Sequence, residues 1–293
     1  MTRLHVSSAA KQCWFTDDAT GSGSLQNVRK WWEELSESGP PLGYFPNATK
    51  CWLIIKPEQE QAAREVFRDT FINVTTEGHK HLGAALGSRS FLEEYVGEKV
   101  DEWVPKLADF AIPQPQVCYA AFSSGLQHRW TYFLRTLPDI AELLEPLERA
   151  INEVLMPAVT YHTVTKVESD LLGLPLRMDG LGFTDPVVTS SSEYEASIEV
   201  TNPLVRRIVE QEHQPPDTSE TGTLQLRTRR QKDDYLCERL GQMKNSLPTE
   251  TKRAAEFATE KESSNWLIVI PLKELDYNLN KKEFRDAIKL RYD

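Results

Sequence analysis

CWFTDDATGSG, residues 13–23, decides how the rest of the chain is read. An aromatic, β-prone run leads into two adjacent carboxylates, Asp17 and Asp18, and a small, glycine-containing stretch follows. Like charges held that close repel unless water, a basic neighbour or a divalent cation stands in front of them. An Asp-Asp pair is also a common turn device, because aspartate hydrogen-bonds its own backbone and tolerates turn geometry. The dipeptide alone does not separate these readings. The order of the segments that follow it does.

With 293 residues the chain can bury a sizeable core, as one large domain or two ordinary ones. Apolar residues make up 40% and aromatics 9%, a globular rather than a disordered composition. The formal net charge of −10 rules out a surface that is basic all over, so a nucleic-acid contact has to use a local patch. Cys13, Cys51, Cys118 and Cys237 lie far apart, with no CxxC pair and no zinc spacing among six histidines. That pattern predicts free thiols in a reducing compartment. No apolar run approaches the roughly 18 residues a membrane span needs, and the first residues do not read as a signal peptide. The expected location is intracellular, cytoplasm or nucleus, and not secreted, so the sequons at Asn47 and Asn73 are read as chance matches.

Residues 5–16 read as a short strand carrying Val6, Cys13, Trp14 and Phe15, and the chain turns at Thr16-Asp17-Asp18. Ser24 can cap a helix running to about Ser38, with Leu25, Val28, Trp32 and Leu35 as its apolar stripe and Gly39 as its stop. GPPLGYFPNATK, residues 39–50, is a loop; KCWLIIK, residues 50–56, is a buried strand; Pro57 suits the first turn of a helix. FINVTTEG and HKHLGAALG are short β segments around Gly78. From Ser88 onward apolar residues recur at helical spacing, through 114–136, 139–156 and 189–213. LLGLPLRMDGLGFTDP, residues 171–186, interrupts them as a glycine-rich turn requiring close backbone approach. Near the end, Asn280 and Glu283 have capping-box spacing. The expected fold is α+β: a small palm-like β-hairpin/helix unit over 1–88, a helical thumb/connection region over 89–213, a linker at 214–222 and a C-terminal helical region over 223–293.

An aromatic strand ending in x-Asp-Asp, a helix, a Gly-aromatic-x-Asn-x-x-Lys loop, a strand and a strand bearing Leu-Gly follow one another in that order. This series resembles the second half of a reverse transcriptase palm of the non-LTR retrotransposon type. FTDD resembles the x-x-Asp-Asp metal turn, GYFPNATK the Gly-Leu-x-x-Asn-x-x-Lys segment and HLGAALG the Leu-Gly primer-grip hairpin. LPLRMDGLGF resembles the Leu-Pro-x-x-x-Gly-Gly-Leu-Gly element beyond the thumb, with Asp179 where the first glycine of the pair is usual. Thr16 likewise stands where alanine is more usual.

The resemblance implies RNA-directed DNA polymerase activity on an RNA/DNA template-primer. Such chemistry needs two cations a few ångströms apart, clamping the attacking oxygen and the leaving pyrophosphate, and hard oxygen ligands suit Mg²⁺, with Mn²⁺ as a substitute. It implies Asp17 as the principal metal ligand of this motif and Asp18 as the lesser one. Lys50 would lie near the incoming triphosphate, and His81, Leu82 and Gly83 would hold the primer end. The small residues Ala19, Gly21 and Gly23 are expected to leave room for DNA. A working palm also needs a metal-binding Asp on an earlier strand, and fingers, and none of the 16 residues before Asp17 is acidic. The chain is therefore expected to be an interior slice of a longer polyprotein, weak in metal binding and inactive without its missing N-terminal polymerase portion. Asp17, Lys50 and the 81–86 hairpin are expected on one side of a small sheet with an unpaired edge.

Two segments invite a further nucleic-acid reading. LRTRRQK clusters Arg227, Arg229, Arg230 and Lys232, but Asp233-Asp234 follows at once, so a self-neutralised helix face competes with phosphate contact. QHRWTYFLR mixes Arg129 and Arg135 with Trp130, Tyr132 and Phe133, of which Trp130, Phe133 and Leu134 are expected in the core. The alternative to the polymerase reading is a co-opted helical nucleic-acid- or protein-binding module without catalysis. An unrelated Mg²⁺-dependent phosphohydrolase is a third.

Overall fold

The computed structural model describes residues 9–112, 114–212, 214–246 and 264–292. Val6 of the expected first strand lies outside them. The chain is mixed α and β, mostly helical, with three small sheets among the described residues. It divides into two compact units, Met1–Glu94 with Thr201–Gly222, and Tyr95–Val200 with Thr223–Asp293.

The first unit opens with a hairpin. Strand β1, Lys11–Phe15, pairs antiparallel with β2, Asp18–Ser22, with Phe15 opposite Asp18, Trp14 opposite Ala19 and Gln12 opposite Gly21. Side chains alternate between faces along a strand. Gln12, Trp14, Ala19 and Gly21 thus share one face, and Lys11, Cys13, Phe15, Asp18 and Thr20 share the other. The first face is covered by helix α1, Leu25–Ser38, whose Ser24 cap accepts the Asn27 N–H. Val28, Trp31 and Leu35 are its buried residues, joined in one core by Ala10 and Phe67. The stripe thus centres on Trp31 rather than Trp32. A Cβ at Gly21 would lie 2.6 Å from the Trp31 ring. The smallness of Ala19 and Gly21 therefore makes room for α1, not for DNA. Both indoles, Trp14 and Trp31, donate to the Gln12 side-chain carbonyl at 3.2 Å.

Beyond α1, strand β3, Trp52–Ile54, is followed by helix α2, Glu60–Val66, and by β4, Asn73–Thr75, which pairs parallel with β3. Strands β5, Gly78–His81, and β6, Ala84–Gly87, form a second hairpin. The expected small sheet is thus three separate two-stranded sheets. The outer edge of β1 is closed at Gln12: its N–H donates to the Gln211 side-chain carbonyl at 3.2 Å, and the Gln211 amide donates back to the Gln12 carbonyl at 3.1 Å. A side-chain amide here occupies the hydrogen-bonding positions a neighbouring strand would take.

Among the described residues the further helices are α3, Arg89–Ala111; α4, Pro115–Ala121; α5, Gln127–Thr136; α6, Glu145–Ala150; α7, Met156–Thr160; α8, Lys166–Leu172; α9, Pro186–Glu210; α10, Thr218–Ser246; and α11, Lys281–Tyr292. Single π-helical turns, Phe122–Leu126 and Ile151–Leu155, join α4 to α5 and α6 to α7. Helix α10 takes up the second half of the stretch read as a linker, whose Pro215-Pro216 does lie between α9 and α10. The core of the second unit holds Trp130, Tyr119, Phe122, Phe183 and Phe284, all essentially without exposure. Trp103 meets Phe133 edge-on at 5.1 Å. Trp130, Phe133 and Leu134 are core residues, as the helical spacing predicts. Asn280 caps α11 reciprocally: its side chain accepts from Lys282 and Glu283, and the Glu283 carboxylate accepts from its N–H.

The turn over residues 173–183 closes on itself. The N–H groups of Leu181 and Phe183 donate to the Leu172 carbonyl, and that of Gly182 to Leu174. Asp179 adopts φ 68°, the left-handed region where glycine is easiest and aspartate is among the better-tolerated residues. No helix among the described residues is long and apolar enough to cross a membrane.

Candidate functional site

Asp17 and Asp18 stand at the tip of the β1–β2 hairpin, both exposed. Phe15 and Asp18 pair across a two-residue loop, Thr16-Asp17, with positive φ at Thr16 alone (57°). That is the pattern of a type II′ hairpin turn, whose twist matches that of the strands. A β-branched residue in the left-handed region is costly, about 1–2 kcal/mol. The strain lies immediately before the two carboxylates, and the paired strands hold it in place.

The second hairpin turns at Leu82-Gly83, with φ 47° and 86°. Two consecutive positive φ values define a type I′ turn, which glycine enters freely and leucine does not. Leu82 is 46% exposed at that tip. His81, one residue earlier, reaches the first hairpin: its Nε2 lies 3.2 Å from Thr20 Oγ1. Thr20 shares its face of β2 with Asp18, and same-face neighbours on a strand are about 7 Å apart. The structure thus brings His81 beside the Asp-Asp tip through a residue, Thr20, that sequence reasoning did not single out. The available signal was its i, i+2 spacing from Asp18.

The loop between α1 and β3 approaches from the other face. Tyr44 packs edge-on against Trp14 at 5.0 Å between ring centres. Burial pushes the Tyr44 phenol above its usual value, and the nearby charges of Cys51, Asp18 and Asp17 push it in the same direction. Tyr44 therefore sits within electrostatic reach of the hairpin tip. Asn47 caps the following turn by accepting from the Thr49 N–H at 3.1 Å. Lys50 is exposed, and among the described residues no ion pair joins it to Asp17 or Asp18. The described residues also contain no group of three or more His, Cys, Asp or Glu side chains that could hold a metal ion. Two carboxylates from one hairpin leave most of an octahedral Mg²⁺ shell to water, substrate or other protein ligands.

The helical candidates come apart on inspection. Arg227 on α10 is paired with Glu199 of α9, and Lys232 with Glu193. Glu193 also takes Arg135 at 3.0 Å, and its carboxyl stays below the usual range despite the burial that opposes this. Asp233 pairs with Arg177 rather than with its own cluster. Arg229 and Arg230 are exposed. Replacing Arg227, Arg229 and Arg230 with Ala is therefore expected to change duplex affinity by no more than about twofold, read by fluorescence anisotropy across a salt series. A loss beyond about tenfold with a flatter salt dependence would assign these residues to phosphates.

Compared with protein families, curated proteins and solved structures, the chain matches none.

Proposed function

We propose that the chain is part of a retroelement RNA-directed DNA polymerase: the portion carrying the Asp-Asp metal turn, the Lys loop, the primer-grip hairpin and a helical thumb/connection region. The reaction is template-directed nucleotidyl transfer with two Mg²⁺ ions. The observation that supports this most is the hydrogen bond between Thr20 and His81, which joins the hairpin bearing Asp17 and Asp18 to the one bearing Leu82-Gly83. A primer end held at the second hairpin would then lie next to carboxylates that can ligate a cation. Tyr44 against Trp14 brings the Lys50 loop to the same hairpin. In this reading Asp17 and Asp18 supply part of the metal site, and Lys50 stands ready to meet phosphate. Further carboxylates and a template-binding surface must join them before catalysis.

Titration with Mn²⁺, followed by paramagnetic broadening of backbone amide signals, tests the metal half of the reading. Binding on the order of millimolar, centred on residues 16–19 and lost in Asp17→Ala, is expected from so few ligands. Broadening elsewhere with none at the hairpin tip would refute it.

A further inference from the structure

The face that carries Thr20 and His81 continues to a group with no part in the site above. Trp52 opens β3 and lies flat on His79, with ring centres 4.3 Å apart and planes 11° from parallel. His79 and His81 share one face of β5, two residues apart. An unbroken line thus runs from Trp52 through His79, His81 and Thr20 to Asp18. One side of the indole is backed by the imidazole, yet Trp52 keeps 44% of its surface exposed. Solvent-facing tryptophan is costly to leave wet and gives nothing to the core, where Leu53 of the same strand already packs.

The cations around it are also unused. Lys50 and Lys56 flank Trp52 in the chain; both are exposed and form no ion pair among the described residues. Arg29, Arg64, Arg68 and Arg89 of the same unit each hold a carboxylate. Two unengaged lysines thus flank a stacked, outward-facing indole in sequence. Aromatic faces with free lysines nearby are how proteins hold unpaired bases, since every base has a π-face and every nucleotide a phosphate.

We propose that Trp52, held flat by His79, is a stacking platform for an unpaired nucleobase of a strand that crosses the His81–Asp18 face, with Lys50 and Lys56 meeting its phosphates. This rests on the polymerase reading and adds to it a contact for a single-stranded stretch near the hairpin tip. The exposed indole gives the site tolerance of base identity, because stacking reads no hydrogen-bond pattern.

The test uses the full chain with a short labelled oligothymidylate and with a template-primer whose overhang carries 2-aminopurine. Trp52→Ala is expected to weaken oligothymidylate binding about tenfold with an unchanged salt slope, and to abolish 2-aminopurine quenching; Trp52→Phe, which keeps a stacking ring, retains most of both. Replacing Lys50 and Lys56 with Ala flattens the salt dependence instead. If wild type binds and Trp52→Ala binds equally well with quenching intact, the platform is refuted and the polymerase reading stands. If wild type binds neither probe at low salt, the platform is refuted, and the polymerase reading, which places the template-binding surface outside this chain, is decided by the Mn²⁺ titration.

Discussion

Asp179→Asn is expected to raise the melting temperature at pH 8 by about 5 °C and to remove a slope of stability against pH that the parent chain shows between about pH 4 and 7. Asp179 has no exposed surface, and neither carboxylate oxygen has a hydrogen-bond partner. Arg291 of α11 comes nearest, its Nε 3.7 Å from Oδ1, and is itself buried. The guanidinium gives its hydrogen bonds elsewhere: to Ser264 Oγ at 2.8 Å and to the carbonyls of Leu176 and Gly180 at 3.2 and 3.4 Å. Burial pushes the Asp179 carboxyl from the ordinary 3.8 up to about 7, against the pull of Arg291 and Lys244.

The folded chain therefore binds a proton here that the unfolded chain has lost across that interval. Stability is highest below about pH 4, falls as pH rises to about 7 and is flat above. At 1.36 kcal/mol per pH unit the span is about 4 kcal/mol. Asparagine keeps the shape, tolerates the left-handed backbone and cannot ionise, but its amide also lacks partners, so the gain is smaller than the span. Thermal melts of both proteins from pH 4 to 8 check this. Carboxylates held below their usual range by ion pairs, Glu102 at about 2 beside Lys106 and Lys99 among them, act in the opposite sense at lower pH. They cancel in the comparison of parent with variant. A parallel pair of curves would show that Asp179 stays ionised throughout.

Gly180→Ala is expected to abolish folding of the second unit or cost it more than about 4 kcal/mol, the range reserved for a steric conflict with no room to relax. A Cβ on Gly180 would lie 1.7 Å from the Leu174 carbonyl oxygen and 2.2 Å from its carbon, both backbone atoms. The same turn supplies the carbonyls that Arg291 holds, and the Asp179 carbonyl accepts from the Tyr292 hydroxyl at 2.9 Å, so its distortion releases α11. Gly182, two residues on, has φ 72° and open space where its Cβ would be. There Ala pays only for the left-handed backbone, about 1–2 kcal/mol. Chemical denaturation of the two variants separates them. Similar modest losses would mean that the turn at 180 can open.

The element types came largely from local chemistry. Ser24, the apolar spacing and Gly39 together specify α1, because each acts on its own backbone or on one helix face. The LPLRMDGLGF stretch read as a close-approach turn, and Gly180 is the residue that requires it. Strand β2 was not legible, since Ala-Thr-Gly-Ser has little β-prone bulk. It is made by pairing with β1 and by Trp31 packing over Gly21. The pairing of β3 with β4 and the separation of the sheets depend on contacts across the chain, which periodicity does not carry. At the candidate site the first hairpin tip was legible, because Asp-Asp is turn chemistry; the second was expected only from the resemblance, since periodicity made residues 79–87 one β segment with its turn at Gly78, whereas the chain turns at Leu82-Gly83. Thr20, Tyr44, Gln211 and the Trp52–His79 stack were not, because each acquires its meaning from a distant partner. Arg227 shows the reverse: its cluster looked self-neutralised by Asp233-Asp234, whereas its counter-charge comes from Glu199 on another helix. Asp179 was hidden for a related reason, as an aspartate is ordinarily solvated and only the fold buries it.

The most direct test of the proposed function is photo-crosslinking from the 3′ end of a primer annealed to an RNA template, with the adduct mapped by mass spectrometry on the full chain. A primer end held next to the Asp-Asp turn predicts adducts at His81–Ala84. Adducts confined to other segments, or none under conditions where the duplex is bound, would contradict the assignment of the Leu82-Gly83 hairpin as the primer grip and the polymerase reading with it.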